Sequence, residues 1–266
     1  MAYIDIKHEI QNCDVSNLTL GDKQKAFEKI LDIRCRENFP IIIRLDGKNF
    51  SHRVKQWKLK KPFDERFHIC MLKAAETLFK ELQLVECIWT GSDEISIVIN
   101  DYKKEEAFLF DRRMNKILSL SASIASVAFN FEAMKQKIDV LNFPAVFDSR
   151  ITILPNEDEI YRNLIFRQND CIRNSISQYA RRYYSTKQLH AVGRDEQLKM
   201  IKEKGFDWEK DAPDWSKYGS YLFKTYVLYD LKAKKPIKVS NESIESFDEK
   251  TQYIRTQIEH TENKLV

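Results

Sequence analysis

Ile41-Ile42-Ile43-Arg44-Leu45-Asp46-Gly47-Lys48-Asn49-Phe50 is a β-branched, mostly apolar run that ends in an acid and a glycine. Apolar side chains at consecutive positions mark a strand buried on both faces, so Ile41 to Leu45 predicts a central strand. A second stretch answers it: Gly91-Ser92-Asp93-Glu94 stands directly before Ile95-Ser96-Ile97-Val98-Ile99. Val85 to Trp89 and Ile95 to Ile99 then read as a hairpin turning through Thr90 to Glu94, with Asp93 at its tip. Two carboxylates, Asp46 and Asp93, meet at one edge of the sheet. Acids sharing a site repel unless cations lie between them, and hard oxygen donors suit Mg²⁺, which keeps phosphates and water in its other positions.

Working outward, the pattern predicts helices over 22–37, from Pro62 through Leu82, over 104–131 and over 156–184, and strands over 146–154 and 221–229. Gly47 is expected to supply a turn after the acid. Small residues from Ser119 to Ala128 would let the 104–131 helix lie close to a sheet. Strand, helix, strand, strand, helix, strand is the split βαβ, ferredoxin-like order. The predicted class is α+β, an antiparallel sheet backed by two helices. Three segments are expected: an N-terminal helical extension (1–39), a palm-like core (40–155) and a C-terminal helical and mixed region (156–266) joined to the same unit.

Composition narrows the function. The 266 residues carry 44 basic and 40 acidic side chains, a formal charge of +4, so a nucleic-acid surface must be a local face. Five cysteines without close pairing argue against a disulfide framework or a zinc site and for a reducing compartment. No uninterrupted apolar run approaches the ~20 residues of a membrane span. The expectation is a cytoplasmic protein without a membrane partner.

Taken singly, an Asp after a strand is more often a turn residue than a ligand. The pair, each beside Gly or Ser, favours metal, with the Gly47 carbonyl as a further donor. Glu94 points away from Asp93 and ranks as an outer group or a solvated acid. Lys61, fixed by Pro62 at a helix start, Ser92 beside Asp93, and Arg113 with Lys116, two cations one turn apart, are candidate triphosphate contacts. Lys55, Lys58 and Lys60 read as a solvated charge run. His52 and His68 have no carboxylate at a useful spacing and read as surface or core residues. Arg167, Asp170 and Asn174 recur at intervals of three and four on one helix side, as a bracing network or as a face toward the nucleotide or RNA end, with Arg173 beside them.

Arg44-Leu45-Asp46-Gly47-Lys48-Asn49-Phe50, Lys61-Pro62 with Asp64 and Arg66, Ser92-Asp93-Glu94, Phe147-Asp148 with Arg150, and Arg167-Gln168 with Asp170, Arg173, Asn174 and Ser175 together resemble the tRNA-His guanylyltransferase superfamily. Its members add nucleotides to RNA 5′ ends in the 3′-to-5′ direction. The resemblance implies a polymerase-like palm and two Mg²⁺ ions on Asp46, the Gly47 carbonyl and Asp93. It also implies ATP and GTP or other NTPs as substrates, tRNA as partner and a homotetramer. Lys48, Asn49, Phe50, Lys61, Ser92, Arg113, Lys116 and Arg150 would be nucleotide contacts. Ile172-Arg173-Asn174-Ser175 departs from the His-Ile-Asn-Asn of the eukaryotic enzymes and is similar to the guanylyltransferase-like branch, associated with templated repair of 5′-truncated tRNA. Repair is therefore the expected function. Strict addition of one G to tRNA-His is its alternative, and a palm-fold nucleotide cyclase or a silent RNA-binding protein stand behind it.

Overall fold

The computed structural model describes residues 16–99 and 108–223. Five strands form one antiparallel sheet: β1 (Ile41–Gly47), β2 (Val85–Gly91), β3 (Glu94–Ile99), β4 (Phe147–Ile153) and β5 (Ser220–Phe223), in the order β4-β1-β3-β2-β5. The first four reproduce the split βαβ arrangement, and β5 adds an edge strand beside β2. The helices are α1 (Leu20–Lys29), α2 (Phe50–Gln56), α3 (Glu65–Glu81), α4 (Met114–Lys135), α5 (Asp158–Ala180), α6 (Arg194–Glu203), α7 (Trp208–Asp211) and α8 (Asp214–Tyr218).

The uninterrupted apolar run of β1 is explained by burial on two sides. Ile41, Ile43 and Leu45 join Ile95, Ile97 and Ile99 in a core closed by α3 and α4. Ile42, on the other face, packs with Cys87, Trp89 and Val98 beneath Leu164 and Cys171 of α5. Helix α5 covers that second face only in part: on β4, Asp148 and Arg150 keep about half their side-chain surface in solvent (49% and 58%).

Several boundaries move, each for a tertiary reason. Helix α1 stops at Lys29 rather than running to residue 37, because Ile33 to Cys35 pairs with the segment before α4: Cys35 N–H donates to Arg112 O (2.9 Å) and Met114 N–H to Ile33 O (2.9 Å). The same pairing delays α4, which starts at Met114 after left-handed backbone at Phe110, Asp111 and Arg112. The expected 104–107 portion lies outside the described residues, as does 224–229 of the last strand. Pro62 precedes α3 instead of opening it, for Asp64 is the N-cap and accepts from Arg66 N–H (3.0 Å). Helix α5 is shorter than 156–184 at both ends.

Helix α4 is long and apolar enough, by length and composition, to cross a bilayer. One side of it, Ile117, Ser121, Ala125, Phe129 and Ala133, is buried in the sheet's core. Beyond α5, the expected C-terminal helical region forms helices α6 to α8, which fold back on that helix. Tyr179 stacks on Phe206 (4.7 Å between centroids), and Trp208 Nε1–H donates to Ser175 Oγ (3.1 Å).

Candidate active site

Asp46 is the Cα partner of Glu94 on one side and of Asp148 on the other, and Gly47 N–H donates to Asp93 O (3.0 Å). Antiparallel pairing thus brings the end of β1 against the hairpin tip, as the two acidic stretches predict. Strands β2 and β3 each extend two residues or one residue further than expected, leaving Ser92 and Asp93 as the turn. Ser92 carries the positive φ (54°), and its hydroxyl donates to Asp93 Oδ1 (3.2 Å). Burial, and then the like charge of Asp46, push the Asp93 carboxyl above its ordinary value against hydrogen bonds from its own backbone N–H and Ser92.

Neither Asp46 nor Asp93 has a Lys or Arg nitrogen within 4.0 Å among the described residues, where no group of three or more His, Cys, Asp or Glu is placed to hold a metal ion by itself. Two neighbouring carboxylates without a protein cation fit a hard divalent ion that takes its other oxygens from a backbone carbonyl, phosphate and water. Gly47 belongs here for a reason other than turning. Its φ is not positive, and a Cβ would meet the Phe50 ring at 2.4 Å. The left-handed residue is Asn49 (φ 58°).

Glu94 is neither solvated nor free. It is buried, and its carboxylate takes Arg167 in a fork, Nε–H donating to Oε1 (2.6 Å) and Nη2–H to Oε2, with Arg44 at 3.8 Å. Arg167 also donates to Asp170 (3.0 Å), which takes Arg173 on its other oxygen. The Arg167–Asp170 network therefore braces α5 to the hairpin that carries Asp93. Asn174, next along the stripe, is exposed.

Beside Asp93 opens a cleft of about 970 Å³, between α2 and the loop after it on one side and the C-terminal end of α5 on the other. Lys61 and Ser92 line it, and so do Lys55 and Lys60, which are exposed in keeping with the solvated reading. The loop is pinned by Asp64, which accepts from Lys60 N–H (2.9 Å) and from Arg66 Nε and Nη2 (3.0 and 2.7 Å). Burial alone would raise that carboxyl, but these hydrogen bonds hold it below its usual range. Arg181 and Arg182 face the lysines across the cleft. His52 and His68 line it too. His68 lies flat on Trp215 (4.4 Å, 8°), and burial lowers its pKa to about 4. Nothing in the sequence pairs residues 68 and 215, so their contact is legible only in the fold.

Other candidates lie elsewhere. Arg113 donates to Asp32 (2.8 Å), whose carboxyl is held below its usual value first by that bond and also by the nearby charge of Lys116. Arg113 thus has a protein carboxylate as partner while Lys116 is exposed, and neither residue lines the cleft. Lys48 and Asn49 are exposed outside it. Phe50 borders it while packing edge-on to Trp57 and Phe147 in the core. Arg150 pairs with Asp148 (3.2 Å) on the open sheet face.

A bacterial tRNA(His) guanylyltransferase-like protein in complex with ATP superposes with a TM-score of 0.77 at 29% identity, covering 90% of this chain and 99% of that one. A complex of such a protein with GTP gives 0.70 at 28%, over 90% and 97%. Among curated proteins, an uncharacterized mimivirus protein is 29% identical over 84% of this chain and 82% of its own length. The mouse protein described as a probable tRNA(His) guanylyltransferase is 30% identical over 53% of this chain, which spans about half (47%) of that enzyme. The family model described as tRNAHis guanylyltransferase matches residues 21–155, half of the chain, from α1 through the last strand of the palm-like core. The chain belongs to the tRNAHis guanylyltransferase family, whose members are nucleotidyltransferases.

Proposed function

We propose that this protein adds nucleotides to the 5′ end of tRNA in the 3′-to-5′ direction, and that it repairs 5′-truncated tRNA by copying the opposite strand. The observation that carries the reading is the joining of Asp93, with Asp46 behind it, to a cleft bordered by Lys55, Lys60, Lys61, Arg181 and Arg182. None of these five cations has a carboxylate within 4.0 Å among the described residues, so the cleft is set for a polyanion. That similar proteins are seen with ATP and with GTP supports nucleoside triphosphates as the ligands.

Asp46, the Gly47 carbonyl and Asp93 would hold Mg²⁺, two ions by the family resemblance. The metal would supply charge stabilisation to the transferring phosphoryl oxygens and activation of the attacking one. The chain's own groups do the rest. Lys55, Lys60, Lys61 and Ser92 orient the triphosphate by charge-assisted hydrogen bonds. The Arg167–Glu94 fork fixes the hairpin, so that Asp93 meets the reacting phosphate without a reorganisation cost. A 5′-phosphate activated by ATP or GTP would then be attacked by the 3′-hydroxyl of the incoming nucleotide, releasing the activating nucleotide. The four described cysteines, all buried and none in a disulfide, support a reducing cytoplasmic setting, and we propose assembly as a homotetramer.

Repair rather than single-G addition is favoured by the Arg173-Asn174-Ser175 segment. Its Ser175 is committed to Trp208 and its Arg173 to Asp170, so a base-specific pocket is not built from them. Nucleotide choice then falls to pairing. On a tRNA transcript lacking its first nucleotide, changing the opposing acceptor-stem base from C to A should switch the added residue from G to U. Addition of G whatever the opposing base, and only to RNA with a His anticodon, would reject repair in favour of strict guanylylation.

A further inference from the structure

The two walls of the cleft differ in kind. The near wall offers lysines, compact point charges on flexible stems. The far wall, where α5 ends, offers Arg181, Arg182, Tyr184, Ser185 and Thr186 from one short segment. Both arginines are exposed and have no carboxylate within 4.0 Å among the described residues, and Arg182 lies over the Tyr183 ring (5.7 Å). The Tyr184 hydroxyl donates to Met200 O (2.9 Å) and Lys204 Nζ lies over one face of the ring (5.5 Å), which fixes the ring at the cleft margin with its other face left for a base. Planar guanidinium groups, a held aromatic ring and hydroxyls are the side chains that stack on bases, bind backbone phosphates and meet 2′-hydroxyls.

Position agrees with composition. Arg181 is the end of a stripe on α5 that runs back through Gln178, Asn174 and Asp170 to Arg167 at intervals of three and four, and Arg167 grips Glu94, the strand partner of Asp46. A chain laid along the far wall is therefore led toward the two acids. A nucleotide held by the lysines would approach the same acids from the other side. At about 970 Å³ the cleft stands at the top of the ~300–1,000 Å³ range of small-molecule sites, leaving room beside one nucleotide.

We propose that residues 181–186 seat the RNA strand that is extended, with Arg181 and Arg182 on its backbone phosphates and Tyr184 against a base near its 5′ end. The assignment rests on the nucleotidyltransferase reading of Asp46 and Asp93, and it names which wall receives which substrate.

The test measures binding apart from catalysis. A tRNA transcript lacking its first nucleotide is titrated, without NTP, against wild type, the R181A/R182A double variant and the R181K/R182K double variant between 50 and 200 mM KCl. The alanine variant should bind RNA roughly tenfold or more weakly. Its log–log salt slope should be shallower by about 1.4–1.8, the loss of two phosphate contacts. The lysine variant should recover the slope, and the KM for ATP should stay within about twofold in both. Unchanged RNA affinity and slope in the alanine variant would overturn the assignment. So would a raised KM for ATP with RNA affinity intact, which would give the far wall to the nucleotide. A wild-type protein that binds the transcript with these properties yet extends nothing would refute the transfer chemistry alone.

Discussion

Asp93 is the residue on which the proposed chemistry turns, and its electrostatics make the role testable. A half-buried carboxylate beside Asp46 is disfavoured in its ionised form, so a neutral isostere should be tolerated by the fold. Asp93→Asn and Asp46→Asn are expected to lose nucleotide addition by at least a thousandfold, with wild-type circular dichroism. Near-normal turnover in either would remove the carboxylate pair from the mechanism. His68 supplies the pH signature. Its folded pKa, about 4, lies below the ordinary 6.5, so between these values the unfolded chain binds more protons than the native one. Stability should rise with pH across this window, by up to about 3 kcal/mol, and level off above it. Denaturant midpoints from pH 4 to 7.5 check this, and His68→Phe, which keeps a ring against Trp215, should flatten the slope. An equally steep slope in the variant would assign the acid sensitivity to other groups.

At the scale of elements, the junction of β1 with α2 is held by packing rather than by turn chemistry. A Cβ on residue 47 would press into the Phe50 ring, which is itself fixed by Trp57, Phe67, Phe129 and Phe147. Gly47→Ala should cost about 1–3 kcal/mol by overpacking. Adding Phe50→Leu should return part of the loss in the melting temperature, whereas strictly additive losses would deny the contact. The same junction shows what can be read from sequence. Strands β1 and β3 announce themselves because burial on both faces demands apolar side chains at nearly every position. The acids at their ends then follow from antiparallel register. The end of α1 is not legible, because the pairing of Ile33 to Cys35 with the chain before α4 replaces a helical continuation that residues 30–37 would locally allow. Helices α6 to α8 are short and mostly polar, and their few anchors, such as Phe206 and Trp208, acquire meaning only against α5. The cleft was legible on one wall, through Lys61 and Ser92, while its other wall and His68 arrive from distant sequence.

For the whole molecule, the unresolved demand lies on the outside of α4. Leu120, Val127, Phe131 and Met134 are exposed there and, with Ile124, which also packs against the core, follow one another at intervals of four, three, four and three, the spacing of a helix–helix seam. Val127 and Phe131 remain 56% and 61% exposed. The same helix carries Ser119, Ser123 and Ser126, whose hydroxyls donate back to their own helix's carbonyls (2.7, 2.8 and 2.7 Å) and so do not compete with an apolar contact. A bilayer is a poor occupant, since the opposite side of α4 is locked into the palm core. A second copy offers an identical seam, and a two-fold contact is self-complementary by construction. The Val127→Glu/Phe131→Glu double variant, which changes only exposed positions, is therefore expected to lower the solution mass by at least one halving in light scattering while its circular dichroism stays native. An unchanged mass would place the subunit contacts elsewhere, and a wild-type protein that is already monomeric would refute the proposed tetramer itself.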